Sequence, residues 1–75
     1  MAKCHNTIKN MRFKKELIYE YLDSKCITQV RFCLDCCISM FQLRKILEDD
    51  DEDIIIACAS RLAWRLGVKV VDLFE

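Results

Sequence analysis

The stretch Ile27–Leu47, ITQVRFCLDCCISMFQLRKIL, decides the fold of this chain of 75 residues. Thr28 can cap the start of one helix, because a threonine hydroxyl accepts a hydrogen bond from a free N–H group of the first turn. Ser39 and Gln42 have the Ser-x-x-Gln spacing of a capping box, which predicts the start of a second helix. The stretch therefore predicts two short helices that are joined by a turn at Cys36–Ile38.

Apolar residues in both helices are spaced so that one face of each can be buried. The predicted inner positions are Phe32, Cys33 and Cys36 in the first helix, and Leu43, Ile46 and Leu47 in the second. The predicted outer face of the second helix carries Met40, Phe41, Arg44 and Lys45. Each helix is amphipathic, and a small helical domain packs such faces around a single core.

Longer helical patterns flank this pair on both sides. A stripe with a 3.6-residue period, Phe13, Leu17, Ile18, Tyr21 and Leu22, predicts a helix over 11–25. A second pattern predicts a helix over 52–66, ended by Gly67 as a left-handed C-cap. Val71, Leu73 and Phe74 predict a last short helix that closes the core.

Composition agrees with a helical domain. The chain is 53% hydrophobic, with one Gly and no Pro, and so few breaking residues favour helices joined by short turns. Residues 1–10 are polar and basic and lack periodicity, so we expect a flexible arm there. The sequence therefore predicts an all-α protein: a compact four- to five-helix bundle over 11–75, preceded by a basic arm over 1–10.

At Ile27–Leu47 the sequence resembles the helix-turn-helix of the Cro and lambda-repressor type, the XRE family. The matching residues are Thr28-Gln29 at the helix start, Cys33 in the small position, Cys36 in the apolar position, Ile38-Ser39, Leu43 and Ile46. The end of the chain, Arg61–Phe74, is similar to the close of that family, with an Ala, Leu-Gly-Val and a terminal Leu-Phe. The sequence departs from the pattern at one position and in one segment. Cys37 stands where the family usually has Gly in a positive-φ turn, and Glu48–Asp51 stand where it has Asn, Gly and basic residues.

The resemblance implies a sequence-specific DNA-binding transcriptional regulator, repressor-like and of the phage or mobile-element kind. The helix over 39–47 would read the major groove of double-stranded DNA. The implied contact residues are Ser39, Met40, Phe41, Gln42, Arg44 and Lys45 on that helix, and Gln29, which would donate to a phosphate. The simpler alternative is that Arg44 and Lys45 are ordinary solvated helix charges.

Such domains commonly bind palindromic DNA as homodimers, and one helix face offers an interface. Ile56, Ser60 and Trp64 recur every four residues on a stripe distinct from the predicted core stripe of the same helix, Ile55, Leu62 and Leu66. An exposed Trp on such a stripe would anchor a dimer. The alternative is that Trp64 covers the core against the last helix.

The distribution of charge along the chain argues against DNA binding. The chain has twelve Lys and Arg against twelve Asp and Glu, and residues 48–53 are all acidic. These carboxylates either cap a helix N-terminus or mark a different use of the fold. That second hypothesis is a non-enzymatic protein-interaction module that binds another protein through its acidic and apolar surfaces. DNA binding requires the cations of Met40–Lys45 and the carboxylates to project in different directions. A shared, contiguous patch of both would overturn the regulator hypothesis, even if the predicted backbone topology is correct.

Other classes of function find little support. Cys33-x-x-Cys36-Cys37 offers only one pair of the four ligands that zinc requires, and the acidic run lacks the Gly and spaced Glu of a calcium-binding loop. No βαβ pattern supports a thioredoxin-like site, and no catalytic set is evident. We therefore expect no enzyme activity, metal, cofactor or small-molecule substrate. The start of the chain does not resemble a signal peptide and no membrane-spanning segment is evident, so we expect a cytoplasmic protein with reduced thiols.

Overall fold

The computed structural model describes residues 12–75, which fold as an all-α bundle that is about 72% helical. The helices are α1 (Glu16–Lys25), α2 (Gln29–Cys36), α3 (Met40–Glu48) and α4 (Glu52–Leu66), followed by a 3₁₀-helix at Val70–Leu73. The predicted fold class, a small helical bundle, is confirmed. The arm predicted for residues 1–10, and Met11, lie outside the described residues.

The helices begin where the sequence places capping side chains. Thr28 Oγ1 accepts from the Arg31 N–H at 3.2 Å, which starts α2. Ser39 and Gln42 form the predicted capping box: each side chain accepts from the backbone N–H of the other at 3.0 Å. Asp51 Oδ1 accepts from the Ile54 N–H and starts α4. These bonds satisfy N–H groups that have no partner within their helices.

The turn between α2 and α3 has the backbone geometry that the sequence predicts. Cys37 has φ 60°, in the left-handed region that a Gly would occupy without strain. The N–H of Ile38 donates to the carbonyl of Cys33 at 3.0 Å, which closes the end of α2. Gly67 ends α4 with φ 76°. The α2–α3 turn is therefore short and fixed by backbone hydrogen bonds.

One apolar core holds all the elements together. All six predicted inner positions of α2 and α3 are buried. Of the predicted inner stripe of α4, Leu66 is only half-buried, whereas the buried members are Ile55, Cys58, Ala59, Leu62 and Ala63. The largest side chains with almost no exposed surface are Phe32, Ile18, Leu43, Ile46, Leu62, Leu73 and Cys58. Three cysteines, Cys33, Cys36 and Cys58, serve as small apolar core residues. Packing on this core fixes the position of α3 relative to α2 and α4.

The start of α1 and the end of the chain differ from prediction. Helix α1 begins at Glu16, because Phe13 forms an antiparallel bridge with Phe74 and cannot also be helical. The Lys14 N–H donates to the Leu73 carbonyl at 2.7 Å, and the Phe13 and Phe74 rings meet edge to face. Leu73 closes the core as predicted, but Val71 is 68% exposed. The prediction of a core role for Val71 is wrong, because the 3₁₀-helix turns its side chain to solvent.

Candidate functional site

The outer side of α3 forms an open surface, which we call the α3 face. It is a shallow cleft of about 220 Å³ lined by Phe41, Arg44, Lys45, Glu48 and Asp49. Phe41 is 64% exposed, although a phenyl ring normally avoids water. The Lys45 ammonium lies 5.5 Å from the centroid of the Phe41 ring, in a cation–π contact.

Both cations of the α3 face have carboxylate partners on the same face. Arg44 Nε lies 3.8 Å from Glu48 Oε2, and Lys45 Nζ lies 3.1 Å from Asp49 Oδ2. Each pair is separated by four residues, a spacing that brings side chains together on a helix. The requirement that these cations and the acidic run project in different directions is therefore not met for Glu48 and Asp49.

The other four carboxylates of the acidic run are engaged elsewhere. Asp50 Oδ1 lies 2.9 Å from Lys15 Nζ, beside the start of α1, and Asp51 caps α4. Glu52 and Asp53 lie in the first turn of α4, where the partial positive charge of the helix N-terminus favours acids. The helix-capping interpretation of the acidic run is confirmed for Asp51, Glu52 and Asp53.

The predicted DNA-contact residues are not equally available. The side chains of Ser39 and Gln42 are occupied in the capping box, and Gln29 is half-buried as the first residue of α2. Met40 was predicted on the outer face, but it is half-buried, because its Sδ packs 3.4 Å from Cys33 Sγ against the core. Of the seven predicted residues, the α3 face thus gathers three: Phe41, Arg44 and Lys45.

Glu48 and Asp49 belong to this surface, and sequence reasoning did not assign them to it. The signal was present in the sequence, because each lies four residues after a cation on a predicted helix. Residues 12–75 contain ten Lys and Arg against twelve Asp and Glu, a net charge of −2, since Lys3 and Lys9 precede them. The described domain therefore has no overall attraction for a polyanion.

Trp64 lies on a second exposed surface, away from the core. Its side chain is 72% exposed, so the alternative that it covers the core is wrong. Ile56 is 49% exposed and Ser60 is also exposed, which leaves the predicted stripe open to solvent. The Arg65 guanidinium stacks on the indole ring, 4.8 Å from its centroid.

A groove runs beside Trp64, between the end of α2 and the outer side of α4. We call it the Trp64 groove; it has a volume of about 290 Å³ and is lined by Asp35, Cys36, Cys37, Ser60, Arg61 and Trp64. Arg65, which does not line the groove, donates from Nη2 to the Asp35 carbonyl at 3.4 Å and so links α4 to α2. This bond fixes the two helices relative to each other at that point.

The cysteines of the described chain are free thiols of two kinds. Cys26 and Cys37 are exposed, whereas Cys33, Cys36 and Cys58 are buried. Burial raises the pKa of all three buried thiols, that of Cys36 to about 11, because a thiolate loses its hydration there. Within residues 12–75 no three His, Cys, Asp or Glu side chains are grouped to hold a metal ion.

Comparison of the chain with protein-family models, with curated proteins and with solved structures gives no match. The resemblance to the XRE family therefore depends on the sequence motifs within Ile27–Leu47 and Arg61–Phe74 alone. Among the described helices, none combines the length and the apolar character that crossing a bilayer requires.

Proposed function

We propose that this chain is a DNA-binding helix-turn-helix domain, similar to the XRE family, that acts as a repressor-like transcriptional regulator. One observation carries the proposal: a tight turn with Cys37 at positive φ joins α2 to α3, and within residues 12–75 the α3 face stays exposed at Phe41 and Arg44. The major groove of DNA admits a single helix of this kind. Phe41, Arg44 and Lys45 would lie in the groove, with Gln29 near a phosphate.

The ion pairs on the α3 face weaken such a contact without preventing it. An exposed pair with four-residue spacing contributes about 0.3–0.5 kcal/mol, whereas a bidentate Arg–guanine contact discriminates by about 1–3 kcal/mol. Arg44, which is 66% exposed on its side chain, can therefore exchange Glu48 for a base edge. Breaking the Arg44–Glu48 ion pair costs less free energy than a contact between Arg44 and a guanine would contribute.

Repulsion between the remaining carboxylates and phosphates is also modest. At about 8 Å, one Debye length at physiological salt, two like charges in water repel by roughly 0.2–0.5 kcal/mol. Only Glu48 and Asp49 adjoin the α3 face, so the total is on the order of 1 kcal/mol. We therefore propose weak electrostatic affinity for any DNA, with specificity from base contacts.

The resemblance to the XRE family also implies a homodimer and a cytoplasmic location, and we include both in the proposal. A homodimer joined through the face of Ile56, Ser60 and Trp64 would read two half-sites on double-stranded DNA. The exposure of all three residues supports this part. A regulator of the phage or mobile-element kind would act in the cytoplasm, where its thiols stay reduced.

Fluorescence anisotropy with labelled random-sequence duplex tests the proposal at about 50 and 200 mM salt. The wild-type chain should bind at the lower salt and lose affinity at the higher, and Arg44→Ala with Lys45→Ala should weaken binding. A matched control, Lys25→Ala with Lys69→Ala, removes two exposed cations that lie outside the α3 face. If both double variants lose the same affinity for the duplex, the attraction depends on total charge and not on the α3 face, which would contradict the proposal.

A second candidate function is favoured by the carboxylates on the α3 face. Because Arg44 and Lys45 are neutralised by Glu48 and Asp49, the face resembles a mixed, partly apolar protein-binding surface around Phe41. Under this candidate the domain binds another protein and has lost DNA contact. Absence of any association with the duplex at low salt would select it over the first.

A further inference from the structure

The Trp64 groove has features of a surface that binds a copy of itself. Trp64 lines the groove and also projects from it, with 72% of its side chain exposed. The same patch therefore carries a large apolar side chain and a cavity of about 290 Å³ beside it. A two-fold axis brings identical patches together, so the projecting side chain of one copy can lie in the cavity of the other.

Charge in the groove is also self-complementary. Asp35 lies on the α2 side, and Arg61 lies on the α4 side. Arg61 makes no ion pair with any carboxylate of residues 12–75. Asp35 lies 3.3 Å from Arg31 in a pair with four-residue spacing, in which the Arg31 side chain is 65% exposed and the Asp35 side chain is 25% exposed. Such helix pairs contribute only about 0.3–0.5 kcal/mol. An antiparallel copy would bring each Arg61 to the Asp35 of the other copy.

We propose that the Trp64 groove is the interface of a two-fold homodimer in which each Trp64 fills the groove of the second copy and Arg61 pairs with its Asp35. The inference rests on the dimer part of the proposed function, and it moves the interface from the α4 stripe alone to the cleft between α4 and α2. A tryptophan buried at the centre of an interface commonly carries much of the binding free energy. Cys37, at the edge of the groove, becomes covered in the dimer.

Sedimentation equilibrium of the full chain under reducing conditions tests the interface without DNA. The wild-type chain should dimerise, and Trp64→Ala should raise the dimer dissociation constant at least about tenfold. Phe41→Ala is the matched control, because it removes a similarly exposed aromatic ring from the α3 face. Circular dichroism of each variant shows whether the helices are retained. A wild-type chain that stays monomeric up to about 1 mM overturns the proposal, as does equal weakening by the two variants.

Charge reversal gives a sharper test that does not depend on Trp64. Arg61→Asp alone brings two acids together at each contact, and Asp35→Arg alone brings two arginines together, so each variant should be monomeric. In an equal mixture both contacts pair opposite charges, and a heterodimer should form. A mixture that stays monomeric although both variants keep their helicity overturns the pairing.

These measurements test the DNA-binding proposal and the dimer-interface proposal independently of each other. Anisotropy with random duplex reports DNA contact through the α3 face in wild type and in monomeric Trp64→Ala alike. Sedimentation reports assembly in the absence of DNA. If the chain forms a dimer but does not bind DNA, the DNA-binding proposal is rejected and the interface proposal is supported. If the chain binds DNA but stays monomeric, the interface proposal is rejected and the DNA-binding proposal is supported.

Discussion

The ammonium of Lys15 lies 2.9 Å from the carbonyl oxygen of Leu47 and the same distance from Asp50 Oδ1. One side chain at the start of α1 thus closes the last turn of α3 and holds the turn that leads to α4. A cation is favoured there by the partial negative charge of the helix C-terminus. The bond ties three segments together beside the α3 face.

Replacing Lys15 by Met should lower the free energy of unfolding by about 1 kcal/mol. A hydrogen bond to a charged group contributes about 1.5–3 kcal/mol, reduced here because the Lys15 side chain is 28% exposed. Urea denaturation measures the change. Lys14→Met is the control, since the Lys14 side chain makes no bond within residues 12–75. A Lys15 variant as stable as the control would refute the role.

Cys37→Gly should stabilise the chain by about 1 kcal/mol. At φ 60° a residue with a Cβ is strained, and glycine is not, although part of the gain is offset by the greater freedom of glycine in the unfolded chain. Cys37→Ala keeps the Cβ and should bring no such gain. Thermal denaturation of the three proteins measures the difference, and equal stability of the Gly and Ala variants would contradict the argument.

Removing the carboxylates of the α3 face should strengthen DNA binding. In Glu48→Gln with Asp49→Asn, the cations of the face lose their partners and two repulsive charges disappear. With about 1 kcal/mol regained, affinity for duplex should rise about fivefold at low salt, and the effect should shrink as salt rises. Glu52→Gln with Asp53→Asn removes the same charge from the first turn of α4. A larger gain in that control would place DNA away from α3.

The stability of the chain should depend on pH through Glu16. A hydrogen bond from Arg12 holds the pKa of Glu16 at about 2, below its ordinary 4.5. The folded state therefore binds this proton less readily than the unfolded state, so its contribution is present above pH 4.5 and disappears as the pH falls toward 2. Melting temperatures of wild type and Glu16→Gln should converge over that range at low salt. A difference that does not change with pH would contradict the assignment.

Thiol reactivity should separate the cysteines into two groups. In a Cys4→Ser, Trp64→Ala background, in which the proposed dimer does not cover Cys37, an aromatic disulfide reagent at neutral pH should titrate Cys26 and Cys37 quickly, because both are exposed. Cys33, Cys36 and Cys58 should react only on unfolding, since burial hinders access and raises the pKa of each thiol. Rapid titration of all five would show that the core opens readily.

Local signals in the sequence were sufficient for most of the fold. The capping box at Ser39, the cap at Thr28 and the C-cap at Gly67 define helix ends through bonds within a few residues, so they could be predicted. The start of α1 could not, because it depends on the pairing of Phe13 with Phe74 at the other end of the chain. Periodicity alone extends the helix to Met11.

The candidate site was predicted in part for a similar reason. The α3 face follows from helical spacing, and so do its ion pairs, which sequence reasoning overlooked at Glu48 and Asp49. The half-burial of Met40 depends on a contact with Cys33 across the turn. The Trp64 groove needs two helices to meet at a particular angle, and no spacing within either helix encodes that angle.

The bridge between Arg12 and Glu75, in which each N–H donates to the other's carbonyl, has a consequence for how the domain can be joined to anything else. Whatever precedes residue 12 and whatever is attached after residue 75 leave from the same corner. A reporter or tether fused after residue 75 would therefore leave the domain beside residue 12. An insertion in the α3–α4 turn would leave it at a different point, beside the ion pair of Lys15 and Asp50.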